Sequence, residues 1–184
     1  MSRLYKVSMI GTKGVGKSSI TLKYVQNIFP PTFEVMYDNY FRKAFTANGD
    51  ECIIDVLDPG DFESLERYLE QYIVQNDGIL LIYSITSRES FDALGNYYTE
   101  IIQRKQDGIF VLVGTKSDLE ISRQVSTKEG EELANTFNCP FFEVSAKTGD
   151  NISECFNEIG IKMKIYREHP QVLGKPVLKA NRRK

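Results

Sequence analysis

One short segment near the N-terminus carries the residue types and spacing of a phosphate-binding loop. The chain from Gly11 to Ser18 reads G-T-K-G-V-G-K-S and matches the pattern G-x-x-x-x-G-K-[ST]. Glycines at these positions let the backbone approach a phosphate, and the N–H groups that follow supply fixed partial positive charge. Lys17 is expected to contact the β- and γ-phosphates, and the Ser18 hydroxyl to ligate Mg²⁺. The candidate nucleotide-binding residues here are Gly11, Lys13, Gly14, Val15, Gly16, Lys17, Ser18 and Ser19.

Two further polar segments follow predicted strands and bear on the choice of base. They are 115–118 (T-K-S-D) and 145–147 (S-A-K). The Asp118 carboxylate can accept two hydrogen bonds from the ring N–H and amino group of guanine. Adenine lacks that ring N–H, so a buried carboxylate would stay unpaired at a cost of about 1–3 kcal/mol. The pattern predicts a guanine nucleotide, with a P-loop ATPase or kinase as the alternative. The residues expected around the base are Thr115, Lys116, Asp118, Ser145, Ala146 and Lys147.

Strands that alternate with helices must position these segments. Apolar runs predict strands over 4–10, 78–85, 109–115 and 140–146, and residues 17–28 have the pattern of a helix. Asn48-Gly49 between two strand patterns predicts a hairpin. Capping patterns predict helix starts at Thr86, Ser126 and Asn151. The fold class is therefore α/β: a six-stranded, mostly parallel sheet with one antiparallel edge hairpin and helices on both faces.

Composition narrows the class of protein. The 184 residues are 41% hydrophobic and 26% charged, which is typical of one globular domain and excludes a disordered chain. A net charge of −2 argues against a nucleic-acid partner. Three dispersed cysteines and a single histidine argue against a zinc site or a disulfide framework.

The chain divides into a domain over 1–166 and a basic flexible tail over 167–184. The tail is expected to touch anionic membrane surfaces at most weakly. The absence of a C-terminal Cys-a-a-X box argues against prenylation. We expect a cytoplasmic monomer.

The motifs resemble those of Ras-family small GTPases over roughly residues 5–166. Residues 143–147 (E-V-S-A-K) resemble that family's E-T-S-A-K, and 115–118 resemble N-K-x-D with Thr in place of Asn. Residues 55–58 (D-V-L-D) resemble D-x-x-D. The resemblance implies a Ras-like P-loop NTPase fold and GTP, GDP and Mg²⁺ as ligands. It also implies that Asp58 holds Mg²⁺ through water and that Phe29 packs against the guanosine. Effectors and exchange factors would bind through the switch regions and the edge strand.

The chain departs from that family first at Lys13, where the family usually has glycine. One interpretation is that this side chain crowds the space of a partner's arginine finger, a group worth ~10³–10⁵ in rate in Ras itself. The others are that it points into solvent, or that its ammonium contacts the γ-phosphate.

The second departure lies in the second switch, where residues 58–63 read D-P-G-D-F-E against the family's D-T-A-G-Q-E. Aligned without gaps, Phe62 replaces the water-positioning Gln and Asp61 the Gly. With one residue deleted, Gly60 is the Gly and Asp61 takes the place of Gln. Neither alignment leaves a Gln or His to orient water. The candidate catalytic residues are thus Lys17, Lys13, Asp61 and Phe62, with Gly60 among those that contact nucleotide.

The third departure concerns the threonine of the first switch. Residues 31–34 (P-T-F-E) resemble the family's P-T-I-E, which makes Thr32 a metal ligand beside Ser18 and Asp58. The gap-free alignment instead puts Met36 there, and a thioether is a poor ligand for Mg²⁺. The three departures predict a guanine-nucleotide switch with slow hydrolysis or, alternatively, a non-cycling, nucleotide-bound scaffold.

Overall fold

The computed structural model describes residues 3–30, 40–59, 73 and 75–171. Within them the strands are β1 (Arg3–Ile10), β2 (Tyr40–Ala47), β3 (Asp50–Leu57), β4 (Gly78–Ser84), β5 (Ile109–Thr115) and β6 (Phe141–Val144). The helices of the same residues are α1 (Lys17–Gln26), α2 (Arg88–Asp92), α3 (Leu94–Arg104), α4 (Thr127–Phe137) and α5 (Ile152–Glu168). None of these helices is long and apolar enough to cross a membrane.

The six strands form a single sheet in the order β2-β3-β1-β4-β5-β6. Every neighbouring pair is parallel except β2 and β3, which are antiparallel. The predicted fold class is confirmed. Strands β4 and β5 are buried along their whole length, as the apolar runs predict for strands covered on both faces. Because the parallel strands share one direction, the segments that follow them meet at one edge of the sheet.

The predicted hairpin is confirmed at Asn48-Gly49. Both residues have positive φ, 51° and 85°, and they join Ala47 to Asp50 as a cross-strand pair. A two-residue turn with both central φ values positive matches the twist of the flanking strands. The hairpin therefore sets the register of the edge strand β2.

Helices cover both faces of the sheet, as predicted, and each face has its own core. On one side, α1 and α5 bury residues such as Ile20 and Ile159. On the other, α3 and α4 bury residues such as Ile101 and Phe137. At about 25 cal/mol per Å² of buried apolar area, these two cores are the main source of stability.

One of the three predicted helix starts is confirmed as a capping box. The Ser126 side chain accepts from the Glu129 N–H, and the Glu129 carboxylate accepts from the Ser126 N–H. The Ser126 hydroxyl also donates to that carboxylate at 2.8 Å. The two hydrogen bonds that the carboxylate accepts from Ser126, with a further one from Arg88, lower the pKa of Glu129 from its usual 4.5 to about 2.

The other two predictions are wrong in detail. The cap of α2 is Ser87 rather than Thr86, because the Ser87 hydroxyl is the one that accepts from the Ser90 N–H. Asn151 precedes α5 in a left-handed conformation and does not cap with its side chain. It donates instead to the Glu143 carbonyl at 2.8 Å.

Helix α5 holds the β2–β3 hairpin in place. Buried Lys164 donates to the Ala47 carbonyl at 3.0 Å and to the Asp50 carboxylate at 2.5 Å. That hydrogen bond raises the pKa of Lys164 and lowers the pKa of Asp50. At Gly160 the helix lies so close to β2 that a Cβ would overlap the Phe45 ring. The edge strand is thus tied to the body at its turn end.

The last helix continues through Glu168, two residues past Tyr166, where the sequence analysis places the domain boundary. Arg167 donates to the Leu4 carbonyl at 3.0 Å and to Asp77 at 2.8 Å. These contacts join the end of α5 to the start of β1 and to the residue before β4.

Candidate functional site

The glycine-rich segment forms a loop between β1 and α1 at the carboxyl edge of the sheet. Gly14 and Gly16 have φ of 76° and 98°, a conformation that favours glycine. A Cβ at Gly11 would overlap the carbonyl oxygen of Ile82. Helix α1 begins at Lys17 with no side-chain cap and no acidic residue in its first turn. A loop of this shape, ending at a helix N-terminus, presents backbone N–H groups suited to an anion such as phosphate.

Lys17 lies over this loop. Its side chain is 6% exposed, and Nζ donates to the carbonyls of Gly11 at 3.0 Å and Thr12 at 2.9 Å. The Thr21 hydroxyl donates to the Lys17 carbonyl at 3.0 Å within α1. The two hydrogen bonds from Nζ hold the ammonium group at the loop, where the sequence predicts it to meet phosphate.

Two residues at the end of β5 brace the phosphate-binding loop: Thr115 is the last residue of the strand and Lys116 follows it. The Thr115 hydroxyl, 1% exposed, hydrogen bonds to the carbonyl of Val15 and lies 3.0 Å from that of Tyr83. Lys116 donates from Nζ to the Gly14 carbonyl at 2.9 Å. Thr115 therefore supplies a hydrogen-bonding side chain although the family motif has Asn at this point.

The structure brings together the two segments predicted to surround the base. Ser145 donates from Oγ to Asp118 Oδ1 at 2.7 Å, and the Ser117 N–H donates to the Val144 carbonyl at 3.2 Å. Ser145 and Ala146 are buried, whereas Asp118 and Lys147 are exposed. An exposed carboxylate held by a buried hydroxyl is oriented to accept hydrogen bonds from a ligand.

Two of the predicted metal ligands lie at adjacent positions of the sheet edge. Ser18 is in the first turn of α1, after β1, and Asp58 directly follows β3, which pairs with β1 as far as Ser8 and Leu57. Asp58 is only 3% exposed. Within the described ranges no group of three or more His, Cys, Asp or Glu side chains is arranged to hold a metal. Mg²⁺ is usually bound by few protein oxygen ligands together with substrate phosphates, so the Ser18 hydroxyl and the Asp58 carboxylate fit that ion.

Several predicted site residues lie outside the residues that the structure describes. They are Thr32, Met36, Gly60, Asp61 and Phe62. Lys13 is exposed on the turn of the phosphate-binding loop, and Phe29 is 45% exposed after α1. The three interpretations of Lys13, and both switch alignments, stay predictions.

Sequence reasoning missed Arg123. Its guanidinium makes two hydrogen bonds to the Glu143 carboxylate, at 2.6 and 2.9 Å, and also contacts Glu120. These hydrogen bonds raise the pKa of Arg123 above its usual range. The two partners are 20 positions apart, and neither a motif nor a period links them in the sequence.

Comparison with known proteins agrees with this geometry. The model of the Ras family matches residues 6–165. The Ras-like protein rasS of Dictyostelium discoideum is 37% identical over 169 residues, which span 91% of this chain and 87% of that protein.

Proposed function

The chain belongs to the Ras family of small GTP-binding proteins, and we propose that it is a guanine-nucleotide-dependent signalling switch with slow GTP hydrolysis. One observation carries the proposal. Asp118 is oriented by Ser145 at the sheet edge where Thr115 and Lys116 brace the phosphate-binding loop. The residue expected to bind the base and the phosphate-binding loop are thereby connected through one short segment, 115–118.

Base selection follows from the acceptor character of Asp118. One carboxylate oxygen accepts from Ser145, and each carboxylate oxygen has two acceptor sites. The group therefore keeps the capacity to accept from the ring N–H and the amino group of guanine. Adenine offers no matching pair of donors, and a site built to bond a donor rejects a ligand that lacks it.

Phosphate and metal binding use charge that is already in position. Lys17 and the N–H groups of the loop would neutralise the phosphates, while Ser18 and Asp58 would hold Mg²⁺. The ion, when bound, supplies further neutralisation of phosphate charge. Positioning and charge neutralisation account for most catalysis in this class, and this chain keeps the residues that provide them, so nucleotide binding should survive the changes in the switches.

Slow hydrolysis is proposed from the residue types in the switches. Phe62 cannot hydrogen bond to water through its side chain, and Asp61 would place a like charge beside a γ-phosphate. Pro59 removes a backbone donor. For Lys13 we propose the first of its three interpretations, that its side chain crowds the space of a partner's arginine finger.

Partners are proposed at the switch regions and at β2. Among the described strands β2 lies at the sheet edge, and Tyr40 and Arg42 are exposed on it. We propose that effectors and exchange factors bind there, with no nucleic-acid partner. We further propose a cytoplasmic monomer whose basic tail touches anionic membranes only weakly.

Single-turnover hydrolysis of bound GTP tests the proposal. The wild-type protein should bind GTP and GDP but not ATP, and should hydrolyse GTP more slowly than the double variant Lys13→Gly, Phe62→Gln. An equal rate in both proteins would place the limitation elsewhere. Retention of GTP with no detectable turnover would favour the non-cycling scaffold. If ATP competes with GTP as well as GDP does, the guanine-nucleotide hypothesis is overturned and the alternative of a P-loop ATPase or kinase is favoured.

A further inference from the structure

Arg123 closes the segment that carries Asp118. A short 3₁₀ turn, Glu120–Ser122, follows that aspartate, and the Arg123 N–H donates to the Glu120 carbonyl at 3.1 Å. Its guanidinium also bonds the Glu120 carboxylate and, at 2.9 Å, the Val125 carbonyl. The Arg123 side chain thus bonds to the first residue of the turn and to Val125, three positions after its end.

The same guanidinium reaches across to Glu143 on β6, two positions before the second base segment. Nη1 and Nη2 donate to Glu143 Oε1 and Oε2 at 2.6 and 2.9 Å, a parallel two-bond pairing. Both side chains are only 16% exposed. Paired hydrogen bonds between a guanidinium and a carboxylate are short, directional and strong. Partial burial makes this pair less screened by salt than a surface ion pair.

Glu143 connects the pair to the residues that meet the base. It lies two positions before Ser145, whose hydroxyl donates to Asp118. Its carboxylate also contacts the Thr127 hydroxyl at 3.3 Å, and its carbonyl accepts from Asn151 at 2.8 Å. The side chain of Glu143 is therefore bonded to Arg123, five positions after Asp118, and to the first residue of α4, and its carbonyl to Asn151, just before α5.

We propose that Arg123 and Glu143 form a positioning clamp for guanine recognition, which holds the Asp118 turn against Ser145. This proposal rests on the proposed guanine-nucleotide binding and adds residues that determine its specificity. The clamp acts through Asp118 and Ser145, so Arg123 is a positioning residue. Within the described part of the chain, the Arg123 side chain makes no hydrogen bond to Lys17 or to the phosphate-binding loop.

The effect of removing the clamp is specific to the base. Inosine diphosphate lacks the 2-amino group of guanine, so it makes one of the two hydrogen bonds to Asp118. A displaced carboxylate costs GDP both bonds and inosine diphosphate only one. Arg123→Ala should therefore speed GDP dissociation ~10-fold, equivalent to about 1.4 kcal/mol, and should reduce the preference for GDP over inosine diphosphate. Single-turnover hydrolysis of GTP, which depends on the phosphate end, should be unchanged.

The experiment measures dissociation of fluorescent GDP and inosine diphosphate from the full chain. The variants are Arg123→Ala, Arg123→Lys and the charge exchange Arg123→Glu with Glu143→Arg. Arg123→Lys keeps the charge and loses the two-bond geometry, so it should resemble Arg123→Ala, and it serves as the test if the alanine variant does not fold. The charge exchange should recover part of the GDP preference. Arg104→Ala, which removes an exposed arginine paired with Glu100 on α3, is the matched control.

The outcomes separate the two proposals. The clamp alone would be overturned if the wild-type protein binds GDP and the folded Arg123 variants release GDP at the wild-type rate with the wild-type base preference. A lower melting temperature without a change in base preference would also overturn it, because a merely structural contact gives that result. Failure of the wild-type protein to bind guanine nucleotides would overturn the proposed function, and the clamp with it.

Discussion

Thr115→Val removes one hydroxyl and conserves the size and branching of the side chain. In the structure that hydroxyl contacts the carbonyls of Val15, in the phosphate-binding loop, and of Tyr83, at the end of β4. Thr115 is 1% exposed, so water cannot readily replace the lost donor. The substitution therefore tests whether the brace between the base segment and the phosphate-binding loop contributes to nucleotide affinity.

The magnitude follows from leaving a buried acceptor unpaired, which costs about 1–3 kcal/mol. Bound nucleotide fixes the loop, so the Val15 carbonyl keeps this penalty in the complex. Without nucleotide the loop can shift to hydrate that carbonyl. The penalty then appears as weaker binding, and a loss of 1–3 kcal/mol corresponds to about 5- to 150-fold faster release of GDP.

Displacement of fluorescent GDP by excess unlabelled GDP measures that release directly. Thr115→Ser retains the hydroxyl and should stay within a few-fold of wild type. Thr99→Val removes a hydroxyl that donates to the Gly95 carbonyl at 2.8 Å on an exposed stretch of helix, and should not change release. If Thr115→Val releases GDP at the wild-type rate, with or without a lower melting temperature, the reasoning is refuted.

Four further substitutions test packing and electrostatics. Gly160→Ala should lower the free energy of unfolding by about 1–3 kcal/mol through overlap with a buried ring of β2. Gly95→Ala, in open space on another helix, should raise the free energy of unfolding by up to about 1 kcal/mol. Denaturant titrations measure both changes, and changes of the same sign in the two variants would contradict the packing. Because the pKa of Glu129 falls from 4.5 to about 2, its stabilising contribution is complete above pH 4.5 and is lost as the pH falls toward 2. As the pH falls, the melting temperature of Glu129→Gln should therefore decrease less than that of the wild-type protein, as followed by circular dichroism. An equal decrease in both proteins would count against the capping box. Lys164→Met should lower the melting temperature and leave GDP affinity intact, since it strips the Ala47 carbonyl of its donor; scanning fluorimetry that shows no change would contradict that role.

Local chemistry explains which features could be predicted from the sequence. The phosphate-binding loop needs glycines at fixed offsets, and Asn48-Gly49 needs positive φ at both positions, so each is visible in a few consecutive residues. Uninterrupted apolar runs likewise mark strands such as β4 and β5. The meeting of Asp118 with Ser145 followed from the rule that parallel strands share a carboxyl edge.

Features that depend on three-dimensional neighbours could not be predicted. Arg123 and Glu143 pair because the segment after Asp118 lies beside β6, and no spacing in the chain encodes that contact. Asn151 fits a capping pattern, yet its side chain reaches the Glu143 carbonyl because β6 ends beside it. At Ser87 the cap shifts by one residue because its hydroxyl, rather than that of the preceding threonine, meets the helix N–H.

The most direct test of the central claim is to denature the freshly purified protein and identify the released nucleotide by chromatography. The account predicts a guanine nucleotide at about one per chain, with GTP persisting because hydrolysis is slow. An adenine nucleotide would contradict the role assigned to Asp118. A preparation without nucleotide that also fails to bind added GDP would contradict the account as a whole.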